Sequence, residues 1–407
     1  MDFLKVSDNG HYFTRGGEPF FWLGGTIWPA HCEFNTEELE FYFKKHHELG
    51  FTVEHIMLAF ENWDGTSVEI RPKDMTIYDP PLWLDNNPAT PNEAFFKRVD
   101  EVIRIAAKYE ILIVILACGG AWGTFVDYRK VITKENAGAY GKWLGERYRD
   151  EPNIVWSNGF DLPPWWYEDI AQEFAAGLTE GDRGKHLQFY HPCGCMSSNH
   201  FHQEKWLSGN FIQTWAFHEN IHRMVIADYH RRPYKPVVHV EGSYEADHSY
   251  PTSPISSHRI RNQAYWAYLS GGFHTYGHGD IYRREPYWRD TLDSYGGRHM
   301  KVLKDFFTSL EWWKLVPDQS LFMIGEQVNH VAARTMDNSL AVIYFGFRAV
   351  LPVNVGRIGN GKPVRVTWID PQNGNRMDGG ILRGELVYRF TSHSACDDAL
   401  LLLTAEE

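Results

Sequence analysis

Short, continuously apolar runs punctuate the chain, separated by longer stretches in which apolar positions recur every three or four residues. The runs cover residues 20–28 (FFWLGGTIW), 52–60 (TVEHIMLAF), 111–120 (ILIVILACGG), 153–161 (NIVWSNGFD), 187–192 (LQFYHP), 211–218 (FIQTWAFH), 236–241 (PVVHVE) and 274–280 (HTYGHGD). Unbroken apolar runs bounded by Gly, Pro or Asn read as strands buried on both faces. The helical period predicts helices over residues 36–49, 93–109, 134–149, 166–178, 260–269 and 291–312, the first of them starting at Asn35 or Thr36 with Glu38 behind it. A hairpin is predicted over residues 4–22, turning at Asn9-Gly10, with Gly16-Gly17 leading on to the first buried run. Eight such strands with helices between them predict an α/β fold, a closed (β/α)8 TIM barrel. The alternative is a doubly wound open sheet, which the lack of a Gly-rich dinucleotide fingerprint or a Walker loop argues against.

Beyond Pro317 the texture changes to short strands with turn residues: HVAARTM, LAVIYFG, VRVTWID, ELVYRF and ALLLLT, with DPQNG at residues 370–374 as a turn. We therefore expect two domains, a barrel with its N-terminal hairpin over residues 1–316 and a small antiparallel, sandwich-like β domain over 317–407. The length of 407 residues fits a barrel of about 250 residues plus such a domain. The segment 61–91 is a long polar loop, too aromatic for a disordered linker.

A formal charge of −12 argues against nucleic acid and anionic membranes as partners, because both require a basic face. There is no apolar run of membrane-spanning length and no leader pattern, so a cytoplasmic protein is expected, or a secreted one if a leader has been removed. The five cysteines, Cys32, Cys118, Cys193, Cys195 and Cys396, have no framework spacing, and the Cys193-Gly-Cys195 pair is too tight for a zinc knuckle; buried free thiols are expected. The 16 tryptophans suit stacking on sugar rings, although indoles also fill cores.

Barrel chemistry sits where strands end. The strand ends offer Trp28 and His31, then Glu61, Trp63 and Asp64, then Trp122, Asp161, His191, Trp215 with His218, Glu241 with Tyr244, and finally Tyr276, His278 and Asp280. Asp161 and Glu241 end the fourth and seventh strands, across the mouth from each other. Glycosidic cleavage needs one carboxyl to protonate the leaving oxygen and a second to attack the sugar carbon or activate water. Glu245 is the fallback for the second carboxylate. His191, His218, His239, His274 and His278 raise the possibility of a metal, but none forms the helical pair with a glutamate that marks a zinc hydrolase. No metal or other cofactor is expected. His239 is expected to point into the barrel wall.

In order, WLGGTIW, PNIVW with GFD, GKHLQFYHPCG, PVVHVEGSYE and HTYGHGDIY, and the C-terminal WIDPQNG, resemble the apiosidase-like (DUF4038) glycoside hydrolase family over nearly the whole chain. That family joins a (β/α)8 barrel to a C-terminal β domain of the collagen-binding type. The resemblance places the acid/base aspartate of its WxxGGD motif on Asp161 and the nucleophilic glutamate of its ExxYE motif on Glu241. It implies a retaining, exo-acting glycosidase that releases a terminal pentofuranose such as apiose or arabinose, or a related sugar, from a plant glycoside or oligosaccharide. Trp28, His31, Glu61, Asp64, Trp122, His191, Trp215, His218, Tyr244, Tyr276 and His278 are the expected substrate contacts. At least two of Trp28, Trp63, Trp122 and Trp215 should line the pocket. Two departures stand out: Gly25 replaces the aspartate of the family's GDT, which removes an expected polar group near the sugar, and Phe160 replaces the second glycine of GGD. They motivate the rival reading of a sugar-binding protein with impaired catalysis. A metal-dependent isomerase or lyase on the same barrel is the third reading.

Overall fold

The computed structural model describes residues 1–58, 82–117, 131–159, 161–251, 253–384, 386–392 and 397–406. Glu61, Trp63, Asp64, Cys118, Trp122, Phe160 and Cys396 lie outside the described residues.

The strands β1 (Leu23–Thr26), β2 (Val53–Met57), β3 (Leu112–Leu116), β4 (Ile154–Ser157), β5 (Gln188–Phe189), β6 (Asn210–Gln213), β7 (Val237–Glu241) and β8 (Phe273–Thr275) are all parallel and run β5-β4-β3-β2-β1-β8-β7-β6. The row closes on itself. Leu207 bridges Gln188, and Ser208 N donates to Gln188 O at 2.8 Å, just before β6 begins. Closure leaves no open edge and explains the continuous apolar runs, because each strand is covered inside and out. In β3, LIVIL, all five residues are buried.

The opening segment is a three-stranded meander, Leu4–Val6, Phe13–Arg15 and Glu18–Phe20, turning at Asn9-Gly10 and Gly16-Gly17. The meander consumes residues 18–20, which is why β1 is shorter than its apolar run. It also sets Phe13 against Trp22 and Phe189, and Phe189 stacks on Phe211 at 4.4 Å between centroids. Aromatic packing fills this end, leaving the C-terminal strand ends for chemistry.

Asn35 caps the helix Thr36–Glu48 through a reciprocal pair of bonds with Glu38, as its sequence predicts. The helix expected over 291–312 is divided into Trp288–Thr291 and Tyr295–Thr308, because Ser294 caps the second piece by accepting from Gly297 N. A helix over Ile221–Tyr229 was not anticipated. The helices Lys134–Tyr148 and Glu168–Asp182, which precede and follow β4, meet backbone to backbone. A Cβ on Gly177 would lie 2.0 Å from Gly138 O, and one on Gly181 2.2 Å from Lys142 O, so only glycine allows this approach.

The C-terminal sheet is antiparallel, in the order Leu315–Pro317, His330–Thr335, Leu340–Phe345, Ala399–Ala405, Val364–Ile369 and Arg376–Leu382, with a ribbon of Val350–Val353 and Tyr388–Thr391 beside it. The DPQNG segment turns between Val364–Ile369 and Arg376–Leu382, closed by Gly374 N donating to Asp370 O at 2.8 Å. Barrel and sheet are tied through the helix Ser257–Leu269: Arg261 donates two bonds to Asp398, at 2.8 and 2.6 Å, and Tyr344 OH donates to Asn262 Oδ1 and Asp398 Oδ2. All four residues are buried. Among the described residues no helix is long and apolar enough to cross a membrane.

Candidate active site

β7 delivers Glu241 as its last residue, and β4 delivers Asp161 four residues past its end. Asp161 sits at φ 52°, a left-handed conformation that aspartate tolerates better than most residues. The bend behind it depends on Gly159, where a Cβ would lie 2.3 Å from the Tyr190 ring. Tyr190 OH in turn donates to Leu162 O at 3.2 Å and holds the far side of the turn.

The two carboxylates meet at His191, which follows β5. One oxygen from each acid and one nitrogen of His191 lie within 4.8 Å of one another. Glu241 is oriented by two donors: Gln213 Nε2 reaches Oε2 at 2.7 Å and Tyr244 OH reaches Oε1 at 2.7 Å. Tyr244 OH accepts from Trp28 Nε1 at 2.8 Å. This chain of bonds runs from β1 to β7.

Burial holds the His191 imidazole far below its ordinary value, at about 3, so the ring is neutral. Its Nδ1–H donates to Pro192 O at 3.0 Å, leaving the Nε2 lone pair facing Glu241 Oε2 at 3.3 Å. Two facing lone pairs repel, so the arrangement fits a proton on the carboxyl side. Burial first, and the negative charge of Asp161 second, push Glu241 up to about 8. At neutral pH the acid pair therefore holds one proton between its members. Cys193 stands close enough to Asp161 to feel its charge, and its thiol is pushed up to about 11, chiefly by burial. An amino-acid scaffold of this kind also offers a nitrogen and two oxygens to a divalent cation.

The other expected contacts divide. Trp28 lies beside His191, ring centroids 6.0 Å apart, and is buried. Trp215 is partly exposed, packs against Tyr250 and accepts a bond from Ser243 Oγ on its carbonyl. His31 is buried edge-on against Phe95 of the helix Glu93–Lys108, at 4.7 Å. His218, held near 4 chiefly by burial, faces Ser243 Oγ and lines a cavity of about 340 Å³ with Phe217, Arg259 and Trp266. Tyr276 and His278 gather around Glu245 instead of Glu241. Tyr276 OH donates to Glu245 Oε2 at 2.7 Å, and the backbone bridges Glu245 to His278. The expected substrate contacts Tyr276 and His278 thus meet the fallback carboxylate Glu245 in one hydrogen-bonded cluster. The Glu245 carboxylate accepts from Tyr276, Ser294 Oγ and Gly296 N, so it seats the N-terminus of the helix Tyr295–Thr308.

Sequence reasoning missed Gln213, although it is a lone polar residue closing the apolar run of β6. It also misplaced Gly25 and Cys195. Gly25 pairs with Glu54, and a Cβ there would lie 2.5 Å from Glu54 Oε1. Glu54 accepts from Tyr42 OH and pairs with His46, both on the helix Thr36–Glu48, so position 25 faces the helix layer and not a sugar. Cys195 is exposed, not buried. His239 and His274 share a bond between their Nδ1 atoms at 2.9 Å, and His239 Nε2 meets Thr214 Oγ1 at 2.8 Å.

Residues 7–314 match the apiosidase-like catalytic domain family. The chain belongs to this family. Apiosidase-like enzymes are glycosidases, and this one shares its whole architecture with solved glycoside hydrolases. A family 5 glycoside hydrolase from Bacteroides vulgatus is 25% identical, with 99% of this chain and 93% of that one aligned at a TM-score of 0.85. Another glycoside hydrolase is 26% identical, covering 100% and 97% at 0.85. A family 5 mannosidase from Rhizomucor miehei, 16% identical over 68% of this chain and 85% of its own at 0.51, shares the fold alone. No curated protein matches the chain. The apiosidase-like match covers every barrel strand and both acids.

Proposed function

We propose that this apiosidase-like enzyme is a retaining, exo-acting glycosidase in which Glu241 is the nucleophile and Asp161 the acid/base. The observation that carries this reading is the approach of the two acids to within 4.8 Å, with His191. Retaining pairs stand about 5–5.5 Å apart, whereas inverting pairs leave about 6.5–9.5 Å for a water molecule. Glu241 Oε attacks the anomeric carbon as the glycosidic C–O bond breaks, and Asp161 gives its proton to the leaving oxygen. Water then attacks the glycosyl ester, Asp161 takes the water's proton, and Glu241 departs as a carboxylate. Donors on both oxygens, from Tyr244 and Gln213, favour the charged form of Glu241 and drive the shared proton toward Asp161 when a leaving oxygen arrives.

The glycone is a terminal pentofuranose such as apiose or arabinose, carried by a plant glycoside or oligosaccharide. A panel of aryl glycosides and plant oligosaccharides, with proton NMR of the first-formed anomer, tests both parts: the released sugar names the pocket, and an inverted first product overturns retention. Binding without hydrolysis across the panel would favour the non-catalytic reading instead. The same three side chains offer a metal donor set, so activity that disappears in a chelator and returns with one divalent ion would replace this mechanism with a metal-dependent one.

A further inference from the structure

The loop that carries Asp161 continues as LPPWWY and ends in two adjacent exposed tryptophans. Trp165 is 55% and Trp166 46% exposed, whereas Trp22, Trp83, Trp156, Trp266 and Trp288 are fully buried. The fold therefore has ample room for buried indoles, yet leaves this pair on the surface. Exposed indoles present large apolar faces, and surface groups of this kind mark binding sites.

The turn that presents them is rigid. Pro163 and Pro164 fix two consecutive φ angles, Trp166 N donates to Pro163 O at 3.0 Å, and Tyr167 N donates to Pro164 O at 3.1 Å. Tyr190 OH pins Leu162 O from the end of β5, and Tyr167 is buried just behind the pair. A pre-set surface loses little freedom when a ligand arrives.

Position then decides which part of a ligand it meets. Trp165 follows Asp161 by four residues, so its Cα lies within about 14 Å of that of Asp161. An acid catalyst stands on the leaving-group side of the scissile bond, because it must protonate the leaving oxygen. The turn that carries the two indoles begins directly after this acid.

We infer that Trp165 and Trp166 form a stacking platform for the sugar unit from which the terminal glycone is released. The inference rests on Asp161 as the acid/base. Flat indole faces match the C–H face of a pyranose ring, and the two rings give the enzyme a reason to prefer an oligosaccharide over a simple glycoside.

Affinity electrophoresis of Asp161→Asn protein through gels containing arabinan, arabinoxylan or galactomannan tests it. Retardation is expected in at least one gel. In Asp161→Asn carrying Trp165→Ala and Trp166→Ala the apparent affinity should fall about ten-fold or more, by about three-fold or more per ring, while Trp165→Tyr with Trp166→Tyr retains most of it. Equal retardation with and without the indoles overturns the platform, as does no retardation in any gel. A wild-type dimer in size-exclusion chromatography that the double alanine variant converts to monomer also overturns it, because the pair is then a subunit contact. Turnover of substrate by Asp161→Asn alone would instead sink the assignment of the acid, whatever the gels show.

Discussion

Glu241 and Glu245 leave the same strand four residues apart, and the fold treats them in opposite ways. Glu245 accepts from a tyrosine, a serine and the first turn of a helix, so its charge is spread over donors that ask nothing further of it. Glu241 has two donors, but it faces a second carboxylate and the lone pair of a neutral imidazole, and its proton is held up to about 8. Glu245 is saturated with donors, whereas Glu241 is crowded with charge that a proton relieves. The difference separates a carboxylate that builds the fold from one that the fold keeps under load.

The sharpest way to break this contrast is to neutralise each acid. Glu241→Gln and Asp161→Asn should each lower kcat/KM by roughly a thousand-fold or more, in the range typical of lost catalytic groups, with folding intact. Glu245→Ala should leave kcat within a few-fold but cost about 2–4 kcal/mol of stability in a denaturant titration, since it strands Tyr276, Ser294 and the helix start. An inactive but fully stable Glu245→Ala would reverse the two assignments.

Removing the donors is a smaller intervention. Tyr244→Phe and Gln213→Ala should each lower kcat about ten- to a hundred-fold, the worth of a hydrogen bond to a charged group, because each bond strengthens as Glu241 regains its charge. Steady-state kinetics that show only a raised KM would mean that the two groups bind sugar and do not tune the acid.

The proton itself gives a third test. The last proton of the pair leaves near pH 8, so kcat/KM should fall above that pH, and in Asp161→Asn, which has no acid to lose that proton, the falling limb should disappear. Stability carries the same sign. The folded value for Glu241 lies above its ordinary 4.5, so its contribution is fully present below pH 4.5 and is lost as pH rises through about 8. Glu241→Gln, with Gln213 turning its amide to accept, should therefore raise Tm relative to wild type by more at pH 8 than at pH 5. A constant Tm difference across that range would contradict the raised value.

Much of this was readable from residues and some was not. The barrel was legible because both faces of every strand are covered, which writes each strand as an apolar run, and Glu241 was legible as the acid that ends one. The helix at Ile221–Tyr229 was missed because it is a nine-residue element with Arg, His and Asp among its apolar positions, too short for a clear period. Meeting points between strand ends were illegible for a different reason. His191 joins the acids, Tyr276 leaves them for Glu245, and Glu54 fills the space beside Gly25, and each outcome depends on which neighbour the closed sheet places alongside. Residue type at a strand end locates the mouth of a barrel; the register between strands decides which side chains share it.

Trp28 gives the finest test, because the two ways of reading it differ by one atom. Read as a sugar-stacking ring, it acts through its face; in the structure its indole N–H donates to Tyr244 OH, which donates onward to Glu241. Trp28→Phe keeps an apolar ring and removes only that donor. If the relay matters, kcat should fall by a few-fold with KM nearly unchanged, about the worth of one neutral hydrogen bond of roughly 1 kcal/mol. The same loss should nearly vanish in a Tyr244→Phe background, since the donor then has no hydroxyl to orient, and a double-mutant cycle of the two changes should show coupling of similar size. A raised KM that is additive with Tyr244→Phe would instead mean that Trp28 meets the sugar through its ring, and that Tyr244 holds Glu241 without help from the first strand.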